Sequence, residues 1–206
     1  MEQKKLFTSK QITGIAVLLA LVIVLQVLSG SMMIGQVQLN FSLIPIVLGS
    51  VIYGPIIGAM LGLACGIVVL VQVIMGGGLF YVIIWANDPV ITVLICLVKT
   101  TVAGFLSGTL YKFISKKSNV TAIFVSSAIV PIVNTGLFIL GCLCMNDTVL
   151  LFQTQLGQVS DFAHVIGMSP LVFILVVLVT FNFFVELAIN LILAPTLNRV
   201  LKIIKV

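Results

Sequence analysis

Two charged side chains lie deep inside apolar runs of this sequence: Glu186, within residues 171–195, and Lys99, within residues 89–113. Asn182 and Asn190 flank Glu186 at four-residue spacing, so on a helix the three polar groups form one stripe. A carboxylate and two carboxamides are costly inside a membrane span, and such groups face a bundle interior or a water-filled cavity instead of lipid. Lys99 stands about ten residues from each end of its run, too central for its stem to carry the ammonium to the interface. An ammonium held there either pairs with a carboxylate or binds an anion. The expectation is a polar centre containing Glu186 and Lys99, with Asn134 and Thr135 facing it from a Pro131-kinked helix. Gln38, Asn40 and Trp85, from two outer loops, complete a candidate substrate-binding set of Lys99, Asn134, Asn182, Glu186, Gln38, Asn40 and Trp85.

The same inventory speaks against catalysis. An intramembrane enzyme needs a nucleophile with a base, or a metal cluster. This chain has one histidine, His164, in a loop without a second ligand at metal spacing, and no paired acidic ligands. Cys142 and Cys144 form C-x-C without a companion pair, and with Cys65 and Cys96 they read as small apolar side chains. Gly76-Gly77-Gly78 is followed by no G-K-[ST], so it is a hinge and not a phosphate loop. Neither metal nor cofactor is expected, and no enzymatic activity.

The elements that position these groups follow from composition. With 206 residues, 61% hydrophobic and only 7% charged, the chain is an integral membrane protein. Its apolar segments are about twenty residues long, suited to helices crossing a ~30 Å core and too long for barrel strands. The net charge of +5 does not indicate a nucleic-acid surface, because nine of the ten basic residues fall into three clusters beside apolar runs. These are Lys4, Lys5 and Lys10; Lys112, Lys116 and Lys117; and Arg199, Lys202 and Lys205. Such clusters mark cytoplasmic ends and meet anionic lipid, while Asp88, Asp147 and Asp161 fall in connections assigned to the outside.

The spans read as 11–28, 41–52, 55–75, 89–113, 119–144 and 171–195. The first lacks a small-residue cleavage pattern and is expected to remain as a membrane helix. Residues 41–75 would measure roughly 50 Å as one helix, too long for a single crossing, and Tyr53-Gly54-Pro55 divides them. Two crossings there also place the N-terminal lysines and the Lys112–Lys117 cluster on one side. Gly54, Gly58, Gly62 and Gly66 line one face of the third span, a groove for a neighbouring helix. The fold expected is an all-α membrane protein, a compact bundle of six transmembrane helices with both termini cytoplasmic. It forms one domain over residues 1–206, with short tails at about 1–10 and 199–206.

Several motifs in order carry a family likeness. They are Ala16-xxx-Ala20, residues 41–49 leading into Tyr53-Gly-Pro-Ile-Ile-Gly58, Lys99 followed by Gly104-xxx-Gly108, and Asn182-xxx-Glu186-xxx-Asn190 followed by Ala194-Pro195. Over nearly its whole length the chain resembles the substrate-binding S components of energy-coupling factor (ECF) vitamin transporters. The resemblance implies a prokaryotic cell-membrane protein that captures a vitamin or related micronutrient with high affinity and hydrolyses nothing itself. It implies that the first helix docks through Ala16 and Ala20 onto a transmembrane scaffold subunit coupled to two cytoplasmic ATPases. It further implies that the S component tips over in the membrane, with the loops at 30–40 and 76–88 as gates. Pantothenate, a flexible monoanion, suits an intramembrane lysine. If Glu186 neutralises Lys99, an uncharged precursor such as a pyrimidine fits equally. A self-sufficient proton-coupled secondary transporter is the alternative of another class; it predicts an inverted repeat, and the glycine-rich third span has no counterpart in the second half.

Overall fold

A computed structural model of the protein describes residues 8–30, 32–34 and 37–204. Lys4, Lys5, Lys205 and the loop residue Gln36 lie outside the described residues. The first helix, α1 (Ser9–Ser29), opens on a capping box in which Thr8 and Gln11 satisfy one another's backbone N–H groups. A short antiparallel hairpin follows, β1 (Met33–Ile34) with β2 (Val37–Gln38), leading into α2 (Leu43–Tyr53). Gly54, at φ +100°, takes a conformation closed to other residues, and Pro55 starts α3 (Pro55–Ile74) at once. The break expected at Tyr53-Gly54-Pro55 is therefore present. At 11 residues, however, α2 rises only about 16 Å, half of a ~30 Å core.

The outer connections are more ordered than the sequence suggested. The segment after the third span is not an irregular lid: beyond Gly76 (φ +74°) it folds into α4 (Leu79–Asn87). Two long helices come next, α5 (Pro89–Ile114) and α6 (Asn119–Cys144), the latter capped by Ser118 and containing Pro131. The third outer connection is likewise largely helical, with α7 (Asn146–Gly157) and a 3-10 turn at Ser160–Val165. The correction has one physical source. Both segments carry enough apolar residues to cover the outer end of the bundle, and burying them favours helix over open loop. Phe80 of α4 accordingly packs edge-on to Phe138 and Phe152, and Phe152 lies against Phe173. The last span begins as α8 (Pro170–Phe173), passes through a π-helical segment, Ile174–Val179, and continues as α9 (Thr180–Ile204).

Among the described residues five helices are long and apolar enough to cross a membrane, with α2 as a shorter apolar sixth. The protein is all-helical, and side chains such as Val17, Ile56, Phe181 and Ile192 stand exposed on its outer surface. The tightest seam joins α3 to α5. A Cβ on Gly62 would stand 2.1 Å from the Thr100 carbonyl oxygen, and one on Gly58 2.4 Å from that of Gly104. The glycine stripe is thus the surface on which α5 lies, backbone against backbone. Polar groups at and beside this seam find partners: Thr100 Oγ1 donates to the Gly62 carbonyl at 2.7 Å, and Ser50 Oγ of α2 donates to Ser107 Oγ of α5 at 2.9 Å. Ser107 and Ser126 exchange hydroxyl-to-carbonyl bonds of 3.0 and 3.1 Å, fixing α6 to α5.

Candidate functional site

The stripe on the last helix points inward: Asn182, Glu186 and Asn190 are all buried. Asn190 donates its Nδ2 to the Glu186 carbonyl of its own helix at 2.8 Å, while Asn182 and Glu186 meet the first outer connection. Glu186 Oε1 accepts the backbone N–H of Asn40 at 2.9 Å, and Asn182 Nδ2 donates to the Val37 carbonyl at 2.9 Å. From the other side, the Tyr81 hydroxyl of α4 accepts the Gln38 N–H at 3.3 Å. Burial pushes the Tyr81 phenol above its ordinary value, so it serves as a neutral hydroxyl. Three hydrogen bonds from two helices thus strap the hairpin over the outer end of the bundle. A second set ties its descending arm to α1 and α3: Ser42 Oγ donates to Gln26 Oε1 at 3.0 Å, and Gln26 Nε2 to Gln72 Oε1 at 3.2 Å.

Beneath the hairpin is an internal cavity of about 40 Å³. Gln38, Asn40, Lys99, Asn134, Asn182 and Glu186 line it, as does Thr135. Six of the seven residues expected at a substrate site therefore share one enclosure. Trp85 does not reach it and packs, half-buried, against the hydrophobic core. Lys99 and Glu186 face the same space without forming the direct pair that was one of the two expectations. The Lys99 ammonium lies 5.3 Å from the centre of the Phe138 ring and makes no hydrogen bond or ion pair with any described residue. Of the other lining residues, Asn134 and Asn182 each hold an Oδ1 that is buried without a hydrogen-bond partner among the described residues. Each such group costs about 1–3 kcal/mol of desolvation. A chamber that leaves a cation and two carbonyl oxygens unanswered is arranged to be filled by something polar.

Two neighbouring spaces define its limits. A mostly apolar annex of about 10 Å³ shares Val69, Tyr81, Lys99 and Phe138 with the chamber and continues among Val73, Ile84, Cys96 and Met145. A larger groove of about 300 Å³ lies between α6 and the π-helical segment, lined almost wholly by apolar side chains, with Thr135 and Val179 as a wall common to it and the chamber. The larger space is not the chemically marked one, because the unpartnered Asn134 and Asn182 oxygens belong to the smaller chamber.

Gln26, Tyr81 and Phe138 also line the chamber, and the sequence reading did not include them. Gln26 carried the signal that marked Asn182, a carboxamide within an apolar span. The contribution of Phe138 has no such mark. Ala16 and Ala20 are exposed on α1, on the face opposite buried Leu18, Val22 and Gln26. His164 is exposed and stacked on Phe162, and the described residues contain no cluster of three metal-ligating side chains. The model of a protein family described as ECF transporter, substrate-specific component, matches residues 10–198. No curated protein and no solved structure matches the chain.

Proposed function

Since the chain belongs to the family of ECF transporter substrate-specific components, we propose that its chamber captures pantothenate for an ATP-driven uptake transporter. The observation that carries this reading is the unpaired Lys99 ammonium in an enclosed cavity with two unpartnered carboxamide oxygens. A carboxylate at Lys99 supplies the missing counter-charge through charge-assisted hydrogen bonds. The hydroxyls and amide N–H of pantothenate supply donors for Asn134 and Asn182. An uncharged precursor would require Glu186 to neutralise Lys99 across the chamber, and the two form no direct ion pair, Glu186 Oε1 being taken by the Asn40 N–H.

The hairpin serves as the removable wall. It is held over the chamber chiefly by single hydrogen bonds, and a vitamin-sized ligand needs several times the present volume. In this reading the chain crosses the membrane six times with both termini cytoplasmic. The short α2 completes its crossing through the turn and hairpin arm that precede it, where Leu39, Asn40 and Ser42 are buried and so need no lipid contact. Ala16 and Ala20, exposed on α1, form the contact with a transmembrane scaffold subunit that two cytoplasmic ATPases drive. The membrane is the plasma membrane of a prokaryote.

The test has two arms. Purified protein is expected to bind radiolabelled pantothenate without ATP, and liposomes containing this chain alone are expected to show no concentrative uptake until scaffold and ATPases are added. Concentrative, proton-driven uptake by the lone chain would overturn the proposal in favour of a secondary transporter.

A further inference from the structure

We infer that the chamber is built for a molecule of two unlike ends, an organic anion at Lys99 and a group bearing N–H or O–H donors against Asn134, Asn182 and Glu186. This rests on the capture reading above and adds the polarity and orientation of whatever is captured, independent of which vitamin it is. The argument is an inventory of unused hydrogen-bonding capacity. Asn182 commits its Nδ2 to the Val37 carbonyl, which leaves Oδ1 as its free atom. Glu186 commits one oxygen to the Asn40 N–H, and among the described residues the other has no partner. Asn134 Oδ1 is likewise unanswered. Asn182 and Glu186 therefore offer acceptors only, while Asn134 Nδ2 and the Gln38 and Thr135 side chains on the same lining have no hydrogen bond among the described residues and can donate as well as accept. Lys99, on the same lining, is a pure donor with three N–H bonds to give and the Phe138 ring 5.3 Å away.

The annex decides which way round the molecule lies. Lys99 and Phe138 stand on the boundary of both spaces, so an anion at Lys99 leaves the rest of the ligand free, in principle, to extend either way. Thr92, a polar residue on the annex wall, already donates its hydroxyl to the Ile84 carbonyl at 3.1 Å. Donors directed into the annex would be stranded, whereas donors directed toward the hairpin meet three acceptors. Only an apolar group is accommodated on the annex side. A few waters can fill the empty chamber, and a ligand that displaces them must replace both their donors and their acceptors. A cation fails at Lys99, and an anion without donors leaves the Asn134 and Asn182 oxygens stranded.

The purified full chain in detergent tests this by calorimetry with four probes and by native mass spectrometry of any retained small molecule. The probes are pantothenate and biotin, which are anions with N–H donors, panthenol, which keeps the donors of pantothenate and lacks its charge, and thiamine, a cation. The expected result is that the retained molecule, or the tightest probe, is a donor-bearing anion, and that Lys99→Met weakens it by at least about thirtyfold. Asn134→Leu is expected to weaken it several-fold, with the melting temperature read alongside to confirm folding. Tightest binding of panthenol or thiamine, or a retained molecule that is neutral or cationic, would overturn the inference while leaving the capture reading intact. Failure to retain any molecule or to bind any probe would overturn both together.

Discussion

The seam between α3 and α5 and the chamber between α6, the last helix and the hairpin are built from similar apolar helices with opposite treatment of their polar atoms. At the seam Thr100, and in the α2–α5 and α5–α6 contacts beside it Ser50, Ser107 and Ser126, each find a partner on a neighbouring helix, and glycine brings the α3 and α5 backbones together. In the chamber Lys99, Asn134 and Asn182 keep capacity that no described residue uses. Thr100 and Lys99 are adjacent in sequence and point into these two environments, so one turn of α5 serves both. A membrane bundle gains little from burying apolar side chains away from lipid, and its rigidity comes from close packing and interhelical hydrogen bonds. The seam supplies that rigidity, and the chamber can then keep its polar atoms unpaired without the fold giving way around them.

The strongest way to break this contrast is at Gly62. Gly62→Ala places a Cβ 2.1 Å from a backbone oxygen that cannot move aside, and it is expected to cost at least about 3 kcal/mol and most of the monodisperse yield in detergent. Gly136→Ala is the matched control, since nothing lies within 4 Å of its added Cβ, and its melting temperature is expected to stay at the parent value. Next in size is Lys99→Met. It is expected to lower ligand affinity by at least ~2 kcal/mol in a binding titration, while thermal stability holds or rises because the ammonium has no hydrogen bond or ion pair among the described residues to lose. Equal affinity would remove Lys99 from the site.

Glu186→Ala strands the Asn40 N–H and is expected to cost about 1–2 kcal/mol, with faster hydrogen exchange at Asn40 than in the parent protein. Glu186→Gln keeps an acceptor and should lie close to the parent; equal exchange in both variants would show that Glu186 does not hold the hairpin. The smallest effect on the isolated chain belongs to Ala16→Trp and Ala20→Trp, on the exposed face of α1. Stability is expected to change by less than about 0.5 kcal/mol and ligand binding to persist, while co-purification with a scaffold subunit is lost. Loss of ligand binding with assembly intact would refute the docking assignment.

Much of this contrast could be read from the sequence because membrane burial makes polar residues conspicuous. Asn182, Glu186 and Lys99 stood out as soon as their runs were seen to be apolar, and the glycine repeat of α3 announced a close neighbour. The division at Gly54-Pro55 followed from backbone chemistry alone. The bonds to the hairpin could not be read in this way, since Glu186 and Asn182 hold it through the main-chain groups of Asn40 and Val37, and any residue type supplies those. The helices α4 and α7 were hidden for a related reason: Tyr81 and Trp85 of α4 resemble an interfacial belt and the segment of α7 reads as a polar loop, until the partners they cover, such as Phe138 and Phe173, are known. Whether Lys99 and Glu186 pair was a matter of ångströms that spacing along two separate helices does not fix.

The π-helical turn at Ile174–Val179 has its own consequence for the stripe that follows it. An α-helix advances roughly 100° per residue, so the one extra residue in a widened turn rotates everything after it by that amount. Thr180 reinforces the wide turn by donating its hydroxyl to the carbonyl of Leu175, five residues back. Were the segment to relax into a regular spiral, Asn182 and Glu186 would swing about a quarter-circle away from the hairpin, releasing both straps in a single motion. Excising one residue from 174–179 would therefore act as a rotation of the entire carboxyl-terminal shaft, reaching groups that the deletion itself never touches.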